Sequence, residues 1–418
     1  MLAEFVKSTS TTAAAPRWAL LAVFSAMALI AHLPAAAAST GGAGQELEPA
    51  PAGSGDTPFD RQGMWIWYVD RSDGGSVPRI LARSQRAGIG TLYIKAGDAG
   101  HVWGQFNRSL VGALHAGGLD VCAWQFVYGK NPVGEAKVGA AAVRKGADCL
   151  VIDAEADYEG KYAAAERYVR ALRARIGEAF PLSLAGFPYV DYHPSFPYSV
   201  FLGPGGATVN QPQMYWKAIG TSVRTVYEHT YLFNRLWGAP VYPLGQTYER
   251  VGGGPIIRFR RFAESYGGLP PSWWDWQETS ARGWRALGAQ VPGPVFGYRP
   301  VESHPVLTRR SRGDLVVWAQ EHLRAAGQAQ LPITGIFGKQ TRSAVRDFQA
   351  SQGLPVDGAV DTATWDSLLN FAPVRPGWAG RRAKRGDGAA ASRAIPPRRP
   401  LSASLPAKAY EIDPGPAP

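Results

Sequence analysis

Eight short apolar runs alternate with helical patterns between Met64 and Gln277, and this alternation limits the possible folds more than any other feature of the chain. A strand, then a helix that carries the chain back for the next strand, is the mark of a parallel α/β fold. The expected strands are Met64–Val69, Thr91–Ala96, Asp120–Val127, Asp148–Asp153, Leu182–Phe187, Gln211–Tyr215, Val241–Leu244 and Trp273–Gln277. Helical periodicity covers Val77–Ala87, Leu110–Ala116, Pro132–Lys145, Tyr158–Ile176, Ser222–Leu236 and Pro255–Tyr266. The fifth connection, Pro188–Asn210, lacks that period and reads as an ordered loop rich in Pro, Gly, Tyr and Phe. Eight strands in roughly 240 residues match a closed (β/α)8 TIM barrel, assigned to residues 58–300. A doubly wound open sheet competes, but no G-x-G-x-x-G follows the first strand.

In such a barrel the chemistry sits at the C-terminal ends of the strands. The stretch that dominates this end is Gly146–Lys161, GADCLVIDAEADYEGK, where an apolar run closes on Asp153 and Glu155. Residues two apart on a strand face the same way, so the two acids share a side. Paired acids at the end of a buried strand are costly unless a site uses them. The alternative is structural, a helix N-cap beside a charge paired with Lys95 or Lys161. The other strand ends carry Asp70, Lys95, Asp98, Gln125, Tyr128, Tyr189, Asp191, His193, Tyr215, Trp216, Gln246, Tyr248, Asp275, Trp276 and Gln277. Carboxylates, amides and aromatic rings at one mouth suit a sugar, whose hydroxyls need forked polar partners and whose apolar face stacks on rings. With neither H-E-x-x-H nor a Cys/His cluster, and no G-x-S-x-G, zinc and serine hydrolase chemistry have no support in the sequence. No cofactor and no metal are expected.

The ends of the chain have their own character. Lys7 and Arg17 precede an apolar run, Trp18–Leu33, and the small-residue stretch AAAAST offers a cleavage site near Ala38. Residues 1–38 therefore read as a signal peptide, with an uncleaved anchor as the alternative, and imply a secreted protein with no stable membrane span after cleavage. Residues 39–57 read as a Gly/Ala/Pro linker. The formal net charge is +11, and of this the stretch from Pro373 onward, with nine Lys/Arg against three acids, supplies +6. That distribution argues against a folded nucleic-acid surface and for a disordered basic Pro/Ala-rich tail, residues 372–418, attracted to anionic wall polymers. Cys122 and Cys149 fall on neighbouring strands. If Gln125 points into the barrel, Cys122 points away from Cys149, which favours two buried thiols over a disulfide.

Residues 305–371 change style. Two related turns, TGIFGKQTRSAVRDFQ (Thr334–Gln349) and VDGAVDTATWDSLL (Val356–Leu369), each place a glycine-bearing tight turn before a Thr that can cap the next helix: Thr341, then Thr362 or Thr364. A small three-helix bundle follows, burying Val317, Leu323, Ala344, Val345, Phe348, Trp365 and Leu368. Arg312-Gly313, Gln320, Gly335-Ile336-Phe337-Gly338, Thr341, Phe348-Gln349, Gly353-Leu354, Val356-Asp357-Gly358 and Thr364-Trp365 resemble the type 1 peptidoglycan-binding domain, although Thr334 stands where that family often has Asp. The resemblance implies binding to cell-wall peptidoglycan.

The barrel resembles glycosidases more loosely. Its Asp153-x-Glu155 pair is similar to the acids of barrel lysozymes and to the last half of the chitinase-type D-x-D-x-E signature, and QMYW (Gln213–Trp216) resembles M-x-Y-D. Cys149 and Val151 depart from the longer signature, and Trp216 replaces the strand-six Asp. The resemblance implies a wall glycosidase with Glu155 as proton donor. Asp153 would orient a substrate acetamide or stabilise positive charge, and Asp70 or Asp98 would be a conventional second carboxylate. Crowding by Asp153 is expected to raise the Glu155 pKa. Lys95, Gln125, Tyr189, Asp191, Tyr215, Gln246, Trp276 and Gln277 are the expected substrate contacts. A barrel that only holds glycan is the non-catalytic alternative.

Overall fold

The computed structural model describes residues 57–380. The expected signal peptide, nearly all of the linker, and the tail from residue 381 lie outside the described residues. The barrel strands are β1 (Gly63–Ile66), β2 (Thr91–Asp98), β4 (Asp120–Val127), β5 (Cys149–Ala154), β6 (Leu182–Ala185), β7 (Val209–Asn210), β8 (Leu244–Gln246) and β9 (Ser272–Trp274). A two-residue strand, β3 (His101–Val102), folds back antiparallel on β2. The eight parallel strands run in the order β7-β6-β5-β4-β2-β1-β9-β8. Parallel bridges Asn210–Val241 and Gln213–Leu244 bring the two edges together.

Helices return the chain on the outside, and side chains cap several of them. Asn107, Asn131, Ser222 and Ser280 accept from the backbone N–H three residues on, at the starts of Arg108–Ala116, Pro132–Val143, Val223–Asn234 and Ala281–Gly288. The sixth and seventh strands differ from expectation because each expected run contains a proline. Pro212 and Pro243 have no N–H to give to a ladder, so β7 ends before the first and β8 begins after the second. The fifth connection holds only a 3-10 turn, Val190–Tyr192, and a one-turn helix, Tyr198–Phe201.

Strand alternation sorts the core into two layers. Trp65, Tyr93, Cys122, Trp124, Cys149, Val151 and Trp274 fill the inside of the barrel. Met64, Ile94, Ala123, Leu150, Ile152 and Leu184 pack outward against the helices. Gln125 belongs to the outer set. Its amide donates to the carbonyls of Ala99 and Glu135, and its oxygen lies so close to helix Pro132–Val143 that a Cβ on Gly139 would meet it at 2.8 Å. The premise that Gln125 points inward is therefore overturned, and so is the conclusion drawn from it. Cys122 and Cys149 both face inward, are register partners with Cα atoms 4.6 Å apart, and form a disulfide.

The helical unit comprises Asp314–Ala325, Lys339–Ser351 and Thr362–Leu368. Its two turns share one device. Buried Gln320 accepts from the N–H groups of Thr334 and Gly335 and donates to Thr341 Oγ1. Buried Gln349 accepts from the Gly358 N–H and donates to the Ala359 carbonyl and to Thr364 Oγ1. The threonines thus bind these glutamines and are not themselves the caps. The N-cap positions are Gly338 and Asp361, and the Asp361 side chain accepts from the Thr364 N–H.

The unit is packed on the barrel. Buried Asp314 accepts from the Ser199 N–H and Oγ, both at 2.7 Å, and its own N–H donates to the Pro194 carbonyl. Trp318 Nε1 donates to the Leu236 carbonyl at 2.7 Å, and its ring lies 5.4 Å from that of Trp237. Residues 372–380, expected to begin the disordered tail, instead follow this surface. Trp378 packs 4.6 Å from Tyr162, and the Ala379 N–H donates to Glu166. One half-buried indole and its backbone bonds offset the ordering cost that the tail's composition implies.

Two outcomes are expected. Unfolded without reductant, the chain should take up no thiol alkylating agent, and after reduction it should take up two equivalents, read by mass. Asp314→Ala leaves the Ser199 donors unpaired and should cost ~1–3 kcal/mol in chemical denaturation.

Candidate active site

β5 positions the centre of the mouth. Its inward face runs Cys149, Val151, Asp153, and Glu155 follows one residue past the strand end. Asp153 and Glu155 are 7% and 6% exposed, so each is nearly withdrawn from water. One amide joins them: Gln213 Nε2 donates to Asp153 Oδ1 at 3.2 Å and to Glu155 Oε1 at 2.9 Å. Burial raises the Glu155 pKa, the Gln213 hydrogen bond opposes that rise, and the charge of Asp157 adds to it. Burial likewise raises Asp153 well above the carboxylate range, followed by the charge of Glu155, while Lys95 opposes. Burial is the main cause for both carboxyls, and their proximity adds to it, so the pair resists double ionisation and retains a proton near neutral pH.

A second group adjoins the pair. Lys95 Nζ is 2.7 Å from Asp98 Oδ2 and lies 4.7, 4.6 and 4.8 Å from the ring centres of Trp67, Trp103 and Trp124. Enclosed by three indoles, it is 2% exposed and serves as a fixed internal cation more than as a substrate contact. Asp98 is occupied by Lys95. Asp70 is exposed on the turn after β1 and is not among the charges that act on the pair, which are those of Glu155, Lys95 and Asp98 on Asp153 and of Asp157 on Glu155.

Asp275 is the carboxyl that the sequence left unassigned. It is buried, Oδ1 accepts from the Glu278 N–H at 3.1 Å, and burial raises its pKa to about 7. Gln277, in the amide orientation that satisfies its neighbours, donates to Asp275 Oδ2 at 3.1 Å and accepts from the Trp67 and Tyr68 N–H groups. Tyr215 is buried within the charge field of Asp153, Glu155 and Asp275, which ties β9 to the acid pair.

The remaining expected contacts lie elsewhere. Gln125 faces the helices, as described above. Gln246 Oε1 accepts from the Lys217 and Ala218 N–H groups and so is built into the wall. Trp276 packs in the outer layer, 4.8 Å from Trp284, whereas Trp274 is the strand-end tryptophan that faces inward. Tyr189 stacks on His229 at 3.8 Å and Asp191 Oδ1 bonds His229 Nε2 at 2.7 Å, fastening the fifth loop to helix Val223–Asn234. Gln213 is the member that sequence reasoning missed. It stands first in the QMYW stretch, at the Met position of the pattern that stretch resembles, and no role follows for it from the sequence alone.

Comparison with known proteins bears mainly on the C-terminal unit. Among solved structures, the chain is similar to "putative Chitinase A from Streptomyces coelicolor", with 15% identity over 56% of this chain and 98% of that one and a TM-score of 0.42. It is similar to a chitinase from Chromobacterium violaceum ATCC 12472, with 10% identity, 54% and 98% coverage and a TM-score of 0.39. A family 39 glycoside hydrolase from Bacteroides cellulosilyticus WH2 gives 10% identity, 61% and 68% coverage and a TM-score of 0.39. No curated protein matches the chain. Residues 312–368 match the family described as "Putative peptidoglycan binding domain". The helical unit packed on the barrel is a peptidoglycan-binding domain of that family.

Proposed function

We propose that the protein is an exported cell-wall glycosidase that hydrolyses a glycosidic bond in peptidoglycan or a related N-acetylated polysaccharide. The observation that carries this reading is the buried Asp153–Glu155 pair, bridged by Gln213 at the C-terminal mouth of the barrel. A carboxyl that keeps its proton near neutral pH is what protonation of a glycosidic oxygen needs. In the proposed step Glu155 delivers its proton to the leaving oxygen as the C1–O bond breaks. The substrate's acetamide oxygen bonds to C1, with Asp153 holding the acetamide N–H, and water then opens that intermediate and returns the proton to Glu155. In this reading the inward-facing rings of Tyr215 and Trp274 are the ones assigned to the sugar's apolar face.

The C-terminal domain keeps a weakly binding barrel close to its polymer. Residues 1–38 supply export, and the basic tail adds salt-sensitive attraction to anionic wall polymers. The slight exposure of both acids favours a second reading, a barrel that holds glycan without cleaving it.

Incubation with peptidoglycan should generate new reducing ends. Glu155→Gln should lower that rate by about 10²–10⁴-fold while co-sedimentation with cell walls is kept. Wall binding with no reducing ends from the unaltered protein would select the non-catalytic reading. The pH profile gives a further check. The Gln213 bond favours ionised Glu155, so Gln213→Leu raises the pKa of the donor. Activity is lost as the donor deprotonates, and the alkaline limb should therefore move to higher pH in that variant.

A further inference from the structure

Where the helical domain meets the barrel, the surface opens into a cleft of about 540 Å³. It does not include the acid pair. Its walls come from both sides of the junction: Trp237, Leu236 and Arg173 from the barrel, Trp318, His322 and Leu369 from the helical domain. Ligand pockets of this size recur where domains meet.

Three residues of these walls each hold a buried polar atom with no hydrogen-bond partner: Trp237 Nε1, Arg173 Nε and His322 Nε2. Their residues are 3%, 4% and 2% exposed. The chemical sense of each is fixed. The indole and guanidinium nitrogens carry hydrogen and can only donate. His322 Nδ1 faces two carbonyls, those of Leu368 at 3.1 Å and Phe371 at 2.6 Å, so Nδ1 carries the proton and Nε2 is left as an acceptor. Burial also holds this imidazole neutral, with its pKa lowered to about 4. Native proteins rarely leave such atoms unpaired, and three on one cleft call for an explanation.

We infer that this cleft is a second binding site, for an amide-bearing fragment of the wall polymer. A secondary amide offers one C=O for the donors and one N–H for His322 Nε2, and the indoles of Trp237 and Trp318, 5.4 Å apart, supply an apolar wall for the group that carries it. In peptidoglycan the amide comes either from the acetamido group of a sugar or from the stem peptide. The site spans the junction, so it exists only while the domain is docked as it is here. It does not depend on whether the acid pair is hydrolytic.

The test is calorimetric titration of the full chain carrying Glu155→Gln, so that glycan survives. One arm uses an N-acetylglucosamine tetramer and the other a stem tripeptide, L-Ala-D-isoGlu-L-Lys. Binding is expected in one arm at least, and the arm identifies the source of the amide. Trp237→Phe keeps the ring and removes the N–H, and should weaken that binding about tenfold. Ala239→Trp, which fills the cleft from its rim, should abolish it, and this decides the matter if Trp237→Phe unfolds early. Co-sedimentation with walls through the rest of the helical domain should persist in both. Absence of binding in both arms overturns the inference, as does binding unaffected by either substitution, which would place the fragment elsewhere, the barrel mouth included. Binding seen only after removal of residues 381–418 would assign the cleft to the chain's own tail and also overturn it.

Discussion

The inward face of β5 is the constraint on which the rest depends. Parallel pairing sets Cys122 against Cys149, and from that register alternation carries Val151 and then Asp153 to the inside. A slip of one residue would turn the acids toward the helices and send Leu150 and Ile152 into the mouth. The disulfide covalently fixes this register between β4 and β5, directly beneath the acid pair. The feature that looks most like a structural staple is thus also what keeps the site's geometry from drifting. A disulfide also suits an oxidising compartment, in keeping with the proposed export.

The mouth is rich in acids for so dry a place, and its electrostatics follow from that. Lys95 is the internal cation. It sits among three indoles and against Asp98, and its charge also lowers the proton affinity of Asp153. Asp153, Glu155 and Asp275 all have raised pKa values, burial being the largest cause for each. Neutralisation by protonation is the low-cost way to keep several carboxyls out of water. The same protonation would supply the general acid that the proposed glycoside cleavage requires, so in that reading stability and chemistry point the same way. The helical domain is seated on Ser199 and Pro194, within the fifth loop, whose other end carries Tyr189 and Asp191. Wall attachment and the barrel's rim are therefore joined through one short segment.

The architecture was legible because it rests on patterns of period two and period 3.6. Asp120–Val127 and Val77–Ala87 were bounded as the structure bounds them. The errors have one physical origin. Which face of a strand points inward is a matter of parity, and for β4 the polar Gln125 was placed at the mouth although the gap left by Gly139 receives it on the outside. That one inversion also hid the disulfide. Trp276 failed in a similar way: tryptophans at 273, 274 and 276 are equally apolar in the sequence, and only the turn of the chain after β9 tells that Trp274 faces inward. The role of Gln213 depends on a bond across 58 residues to Glu155, which no local pattern encodes. The helical domain was easier, because its glycines, glutamines and threonines bond mostly within the same small unit.

The account rests most heavily on the protonation state and accessibility of the acid pair. Carbon-13 NMR of the side-chain carboxyls, titrated with and without an N-acetylglucosamine oligomer, measures both together. The account predicts that Asp153 and Glu155 titrate above the ordinary carboxylate range, as a coupled pair, and that both signals shift when the oligomer is added. Ordinary titration of both groups, or signals indifferent to the glycan, would contradict it.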